Sequence, residues 1–231
     1  MGEIDAGNAY LEEAHRISER VGDIRRTADV LNGMALVENW RGSPERGREL
    51  YERSLALFRQ LEDDRAVAAL LGNLGDLAAT EGEYDRAVAL SRQSLAILER
   101  LHDPQSTGWQ LANLGSFELK RGDLDAARPV LRRALALVRE YQDDWLSANC
   151  VDCLSRLAIA EKDWPRALRL AGFADSVFAS IGVPRQPPDQ VDYEGVVREA
   201  KAALGEEAAF TALEAARAMK WGDALDDALA V

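Results

Sequence analysis

The sequence is poor in the residues on which many functional sites depend. Of its 231 residues, 2 are cysteine and 2 are histidine, so a disulfide framework is excluded and a reducing compartment is expected. It lacks a run of about 18 apolar residues, which a membrane-spanning helix needs. The first residues also lack the basic and apolar regions of a signal peptide. We therefore expect a cytoplasmic protein without a membrane partner.

Positive charge is also scarce. The chain has 28 lysines and arginines against 40 aspartates and glutamates, which gives a net charge of −12. Proteins that bind nucleic acids or anionic membranes need clustered cations to contact phosphates. The charge balance therefore argues against direct binding to nucleic acid.

Proline and strand-like segments are rare as well. Seven residues are proline, and alternating runs of valine, isoleucine and threonine do not occur. Residues 49–61 and 87–101 instead carry apolar side chains at helical spacing, with charged residues between them. The sequence predicts an all-α fold, and a hydrophobic fraction of 47% is enough to build a core.

The strongest pattern is an internal repeat of 40 residues that aligns positions 24 to 184 with themselves without a gap. Each repeat contains two predicted helices, called A and B. The apolar columns of helix A are Leu31, Leu71, Leu111 and Val151; Met34, Leu74, Leu114 and Leu154; and Val37, Leu77, Phe117 and Leu157. Those of helix B are Leu50, Leu90, Val130 and Leu170; Leu57, Ile97, Leu137 and Val177; and Leu61, Leu101, Tyr141 and Ile181.

Small residues recur at two further positions of the repeat, twelve residues apart. They are Ala35, Gly75, Gly115 and Ser155 on helix A, and Gly47, Ala87, Ala127 and Ala167 on helix B. Because two helices approach closely only where neither carries bulk, these columns predict where A crosses B. Glycine followed by a small or acidic residue, as in Gly42-Ser43 and Gly122-Asp123, predicts the turn between the helices.

This combination resembles the tetratricopeptide repeat, whose pattern is legible in Leu74-Gly75 followed by Gly82-Glu83-Tyr84-Asp85-Arg86-Ala87. HEAT and armadillo arrays have similar periods but do not require the small pair. The resemblance implies a right-handed α-solenoid of antiparallel helix pairs in which stacked neighbours form the core. The predicted solenoid spans 1–184, with complete repeats at 24–63, 64–103, 104–143 and 144–183, and residues 185–231 form a helical cap.

Residues 2–23 match only the B half of a repeat. A solenoid that starts on an unpaired B helix leaves an apolar face uncovered, here Ile4, Leu11, Ile17 and Val21. We therefore expect the chain to be part of a longer array. We also expect possible self-association through this N-terminal helix, because exposed apolar faces mark association sites.

The segment 203–229 is similar to the end of the repeat region in large bacterial signalling proteins. These proteins join a signal-transduction ATPase to tetratricopeptide repeats, and they include LuxR-type transcriptional regulators and related nucleotide cyclases. The resemblance implies a non-catalytic sensor or regulatory arm that binds a protein, a peptide or a small effector. A stand-alone tetratricopeptide adaptor is the alternative.

Residues that could carry catalysis or bind a cofactor do not form a recognisable site. No phosphate-binding glycine loop is present. Cys150 and Cys153 form a single C-x-x-C pair inside a predicted helix, where packing explains them better than metal or redox chemistry. His15 and His102 lie on different helices. We predict neither enzymatic activity nor a cofactor or metal.

The candidate binding site comes from the resemblance, which places helix A along the concave groove. Its non-packing positions on the central repeats are polar or aromatic. Asparagine can pair with both the N–H and the C=O of an extended peptide, and tryptophan is a common anchor at interfaces. The lysine–arginine carboxylate clamp of some family members is not carried over, because few cations occupy these columns. The predicted groove residues are Asn73, Asp76, Trp109, Asn113, Ser116, Lys120, Asn149 and Arg156.

Overall fold

The computed structural model describes residues 2–141, 143–185 and 187–229, and in this part of the chain all regular structure is α-helical. The all-α prediction is confirmed. The helices are α1 (Gly2–Val21), α2 (Ile24–Trp40), α3 (Pro44–Gln60), α4 (Asp64–Thr80), α5 (Tyr84–Arg100), α6 (Pro104–Arg121), α7 (Leu124–Tyr141), α8 (Asp144–Ala160), α9 (Trp164–Ile181), α10 (Pro187–Leu204), α11 (Glu206–Arg217) and α12 (Trp221–Leu229).

The turns that end α1 to α9 recur at intervals of about 20 residues. In the described turns after α1 to α9, a residue one or two positions beyond the helix has a positive φ, and it is glycine in five cases, for example Gly42 and Gly82 at 77°. In the turns up to α9, the next residue caps the following helix, and most often it is an aspartate whose carboxylate accepts a hydrogen bond from the third backbone N–H of that helix. These aspartates are Asp23, Asp63, Asp103, Asp123, Asp143 and Asp163. One type of turn therefore joins A to B and B to the next A.

The chain divides into two compact units, residues 1–102 and residues 103–231. In unit 1, α2 pairs with α3 and α4 pairs with α5, while α1 packs on α2 and α3 packs on α4. The core contains Leu31, Leu50, Tyr51, Leu71 and Leu74, all buried. In unit 2, α6 pairs with α7 and α8 pairs with α9, and α7 packs on α8.

The predicted crossing of helices A and B is confirmed for Ala35 and Gly47. A Cβ added to Gly47 on α3 would lie 3.2 Å from the carbonyl oxygen of Ala35 on α2. Gly115 on α6 has no room for a Cβ either, because the Leu131 side chain of α7 lies against it. The small columns therefore allow the two helices of a pair to touch.

The predicted core face of helix B is partly wrong. Leu90 and Val130 are half-buried and Tyr141 is exposed. Leu50 and Leu170 are buried, but the columns of helix B that are buried in every repeat include Tyr51, Ser91, Leu131 and Ala171, and Ser54, Ser94, Ala134 and Ala174. The buried face of helix B is therefore centred to one side of the predicted face, since neighbouring residues of an α-helix lie about 100° apart. The apolar columns of helix A are buried as predicted, apart from the half-buried Met34.

The three last helices cover α9. Helix α11 packs closely on it, since a Cβ on Gly172 would lie 2.8 Å from the carbonyl oxygen of Leu213. Helix α12 reaches α9 through Arg169, whose guanidinium donates to the Asp227 carboxylate at 3.1 and 3.2 Å. Helix α10 packs on both α8 and α9. The predicted domain boundary between residues 184 and 185 stays a prediction.

The N-terminal helix presents part of the predicted apolar face to solvent. Ile17 and Val21 are exposed, and Leu11 is half-buried against α2 near Gly33. The side chain of Ile4 lies outside the described residues. Self-association through this face stays a prediction.

Candidate functional site

The predicted groove residues of unit 2 lie on one surface formed by α6 and α8, called here the α6/α8 face. Helix α6 contributes Trp109, Asn113, Ser116 and Lys120, which follow each other at spacings of four, three and four residues and therefore share one side of the helix. Helix α8 contributes Trp145, Asn149 and Arg156. These side chains are half-buried.

The first half of the α6/α8 face is aromatic. The rings of Trp109 and Trp145 are stacked, with centroids 4.4 Å apart and an interplanar angle of 22°. Such a pair presents a large, rigid apolar surface with little conformational entropy to lose on binding. Trp145 was missed by the sequence analysis, although it lies four residues before Asn149 and therefore on the same helix face.

The predicted groove asparagines Asn73 and Asn149 make different contacts in the two units. Asn73 donates from Nδ2 to Oδ1 of Asn32 on the neighbouring helix α2, at 3.2 Å. Asn149 in unit 2 donates to the carbonyl oxygen of Trp145 within its own helix, at 2.7 Å. Asn73 and Asn113 belong to different units, so the prediction that both hydrogen-bond one extended peptide stays a prediction.

The second half of the α6/α8 face is cationic, and both cations are ion-paired with α10. Oδ2 of Asp192 lies 2.9 Å from Nη1 of Arg156 and 3.5 Å from Nζ of Lys120. Nη1 of Arg156 also donates to the hydroxyl oxygen of Ser116, at 3.4 Å. Asp192 could not be predicted from the repeat, because the cap carries no repeat pattern that would align it with the groove.

The segment that leads into α10 is fixed by a buried arginine. Nε and Nη2 of Arg185 donate to the two carboxylate oxygens of Asp152 at 2.6 and 3.2 Å, and Nη1 donates to Asp175 at 2.9 Å. The Arg185 side chain is 4% exposed and lies over the rings of Phe178 and Tyr193, at 4.7 and 4.0 Å. Burial raises the pKa of Asp152 to about 6, and Arg185 opposes this rise.

The corresponding positions of unit 1, called the α2/α4 face, are more open. Trp40 is 71% exposed, and Leu36 and Asp76 are also exposed. Beneath them, the buried Tyr51 has a pKa raised to about 12, mainly by burial and then by the charge of Asp76. Tyr51 therefore stays protonated and serves the core.

The cysteine pair has the environment of core residues. Cys150 and Cys153 are both buried and free. Burial raises the pKa of the Cys150 thiol well above its usual value and that of Cys153 to about 11. Both side chains are thiols rather than reactive thiolates at neutral pH. Among the described residues, no group of three or more His, Cys, Asp or Glu side chains is arranged to hold a metal ion.

Sequence profiles of the tetratricopeptide repeat match residues 26–100 and 107–141. A search of curated proteins found no match to the chain. Together with the paired helices, these matches show that the chain contains tetratricopeptide repeats.

Several solved structures are similar. BtubC (BKLC) from P. vanneervenii is 27% identical with a TM-score of 0.57, and the match covers 62% of this chain and 59% of that one, less than two thirds of its length. A Podosopora anserina putative kinesin light chain with TPR-like repeats is 16% identical with a TM-score of 0.64, covering 78% and 89%. Pseudomonas aeruginosa pilF is 16% identical with a TM-score of 0.50, covering 90% and 97%. The likenesses at 16% identity concern the fold alone.

Tetratricopeptide repeats point to a scaffold for protein–protein interaction, a fold that is generally non-catalytic. None of the helices in the described residues combines the length and hydrophobicity needed to cross a membrane.

Proposed function

We propose that this chain is the non-catalytic, protein-binding arm of a larger bacterial signalling ATPase or transcriptional regulator, and that a partner protein docks on its α6/α8 face. The resemblance of residues 203–229 to the end of such arms supports the proposal that the chain is part of a protein of this kind. The reducing cytoplasm is the proposed compartment. The stacked Trp109–Trp145 pair is the main observation that supports a docking site on this face.

A partner that binds at this pair would bury a rigid aromatic surface flanked by amide groups. Asn113 and Asn149 follow Trp109 and Trp145 by four residues on their helices, so they flank the rings. Amide side chains beside an aromatic anchor can hydrogen-bond the backbone of an extended segment. The arrangement therefore fits a peptide segment of a protein better than a small apolar effector.

The experiment compares partner capture by the wild-type chain, the Trp109→Ala variant and the Tyr141→Ala variant. Tyr141 is the matched control, because it is an exposed aromatic residue at the end of α7 and lies outside the α6/α8 face. Loss of the anchor is expected to weaken binding by about 2 kcal/mol or more. Captured proteins are identified by mass spectrometry and their affinities measured by calorimetry.

Equal capture by Trp109→Ala and wild type, with both variants folded, would contradict docking at the tryptophan pair. The proposed parent protein is tested separately, by sequencing the DNA upstream of this reading frame. A nucleotide-binding domain joined in frame supports the signalling arm, whereas a natural start codon next to a promoter supports the stand-alone adaptor.

A further inference from the structure

The cationic half of the α6/α8 face is already occupied by an acidic segment of the same chain. The Asp192 carboxylate bridges Arg156 and Lys120, and the three side chains are 30%, 15% and 26% exposed, respectively. One carboxylate between two cations leaves an excess positive charge. At this degree of burial, the attraction is stronger than in an exposed ion pair.

Asp189 places a second carboxylate near the same two cations. It lies three residues before Asp192, so both project from one side of α10. Burial raises the pKa of Asp189, while the charges of Lys120 and Arg156 lower it. The start of α10 therefore presents two acidic groups to the two cations of the face.

The two ends of α10 are held by different forces. The later part is anchored by Val196 and Ala200, which are buried against side chains of α8, α9 and α11. In the described part of the first two turns, the aliphatic side chain is Val191, which is 67% exposed. Charged contacts therefore hold the two acidic residues of this end, while Tyr193 packs on the core cluster around Val196.

The geometry of α6 indicates the length of a segment that could use the whole face. Trp109 and Lys120 are 11 residues apart on one helix, which corresponds to about 16 Å. An extended peptide covers this distance with about five residues. A matching segment would place an aromatic or aliphatic side chain about five residues from acidic side chains.

We propose that the start of α10 is an internal competitor, and that an acidic segment of the partner protein binds Lys120 and Arg156 by displacing Asp189 and Asp192. The proposal rests on the function proposed above, since it concerns the same face. It adds the chemistry of the partner segment and a requirement for α10 to move.

The test uses the full-length chain and a fluorescein-labelled peptide with the sequence of residues 187–204 as the probe. Replacing both acids, Asp189→Asn with Asp192→Asn, frees the cations while keeping the shape of the side chains. This variant is expected to bind the peptide about tenfold more tightly than wild type in fluorescence anisotropy. Adding Lys120→Gln and Arg156→Gln should remove the gain.

Two controls separate a specific effect from a general change in charge. Asp226→Asn removes an acid from another cap helix, where it pairs with Arg139 at 3.0 Å, and should bind like wild type. A peptide with asparagine at positions 189 and 192 should lose most of its affinity. Hydrogen exchange should also accelerate at the start of α10 in the double variant and remain unchanged in α8 and α11.

Peptide binding that is equal in wild type and the double variant, or that survives the loss of Lys120 and Arg156, would overturn the proposal. Failure of the proposed function has a different signature. In that case, partner capture is insensitive to Trp109→Ala, even if the peptide still responds to the charges.

Discussion

The α2/α4 face of unit 1 and the α6/α8 face of unit 2 occupy equivalent positions of the repeat, yet their availability differs. Trp40 and Lys120 belong to the same column, but Trp40 is exposed while Lys120 is half-buried beside α10. Asp76 and Arg156 also share a column of the repeat. Asp76 is exposed, whereas Arg156 is ion-paired with Asp192. Position in the repeat defines which residues face outward, whereas the cap decides which of them a partner can reach.

The largest expected difference between the units concerns their arginine ion pairs. Arg185→Gln in unit 2 should lower the free energy of unfolding by about 3–5 kcal/mol, because it leaves Asp152 buried without its partner. Arg25→Gln in unit 1 removes an exposed arginine that pairs with Asp63 at 2.7 Å. This control should cost less than about 1 kcal/mol.

The Arg185 variant also gives a pH test. Without the arginine, the pKa of Asp152 should rise further above its ordinary value. The stability associated with a raised carboxyl pKa is present below the unfolded-state pKa and is lost as the pH rises through the folded-state pKa. The destabilisation should therefore be larger at pH 8 than at pH 5. Urea unfolding followed by tryptophan fluorescence measures the free energy of unfolding at each pH. A loss of stability that is the same at pH 5 and pH 8 would mean that Asp152 does not titrate in this range.

Equivalent core positions should behave alike in the two units. Leu74→Ala and Leu114→Ala each remove a buried leucine of the same helix A column, and each should cost about 2–5 kcal/mol through the cavity left behind. Trp109→Ala should cost much less stability, because its ring is only half-buried. If Trp109→Ala unfolds the array as readily as Leu114→Ala, the tryptophan belongs to the core and the assignment of the groove is wrong.

The smallest expected effects concern the turns. Glu62 in unit 1 and Lys162 in unit 2 have positive φ values of 54° and 64°, where most of the equivalent turns have glycine. Replacing either by glycine should relieve strain and raise stability by about 0.5–1 kcal/mol. Thermal melts of the two variants should show similar increases, with Gly82→Ala as the reverse control that lowers the melting temperature.

The repeated part of the fold could be predicted because its signals recur. Glycine and aspartate at the helix ends, and the leucines of helix A, appear at a constant spacing, so each occurrence supports the others. Helix B was harder, since apolar residues stand on both sides of the true buried face. Ser54 and Ser94 illustrate this: both are buried in helix B and donate to the carbonyl oxygens of Ala28 and Ala68 at 2.7 Å, although their polarity suggests solvent.

The candidate site was only partly predictable for a related reason. Trp109, Lys120 and Arg156 could be placed on one face by their columns. The contacts that decide their environment come from Asp192 and Arg185, which lie beyond the repeats. Long-range ion pairs of this kind leave no periodic trace in the sequence.

Because equivalent turns recur every 40 residues, the segment between two of them can be removed or duplicated as a unit. Asp63 and Asp103 each begin an A helix with the same hydrogen bond to the third N–H, at 3.0 and 3.1 Å. Excising residues 64–103 would therefore join Asp63 to Pro104 and recreate the junction that Asp103 now makes. A gain or loss of 120 coding nucleotides at such a point changes the number of repeats without requiring a new turn sequence.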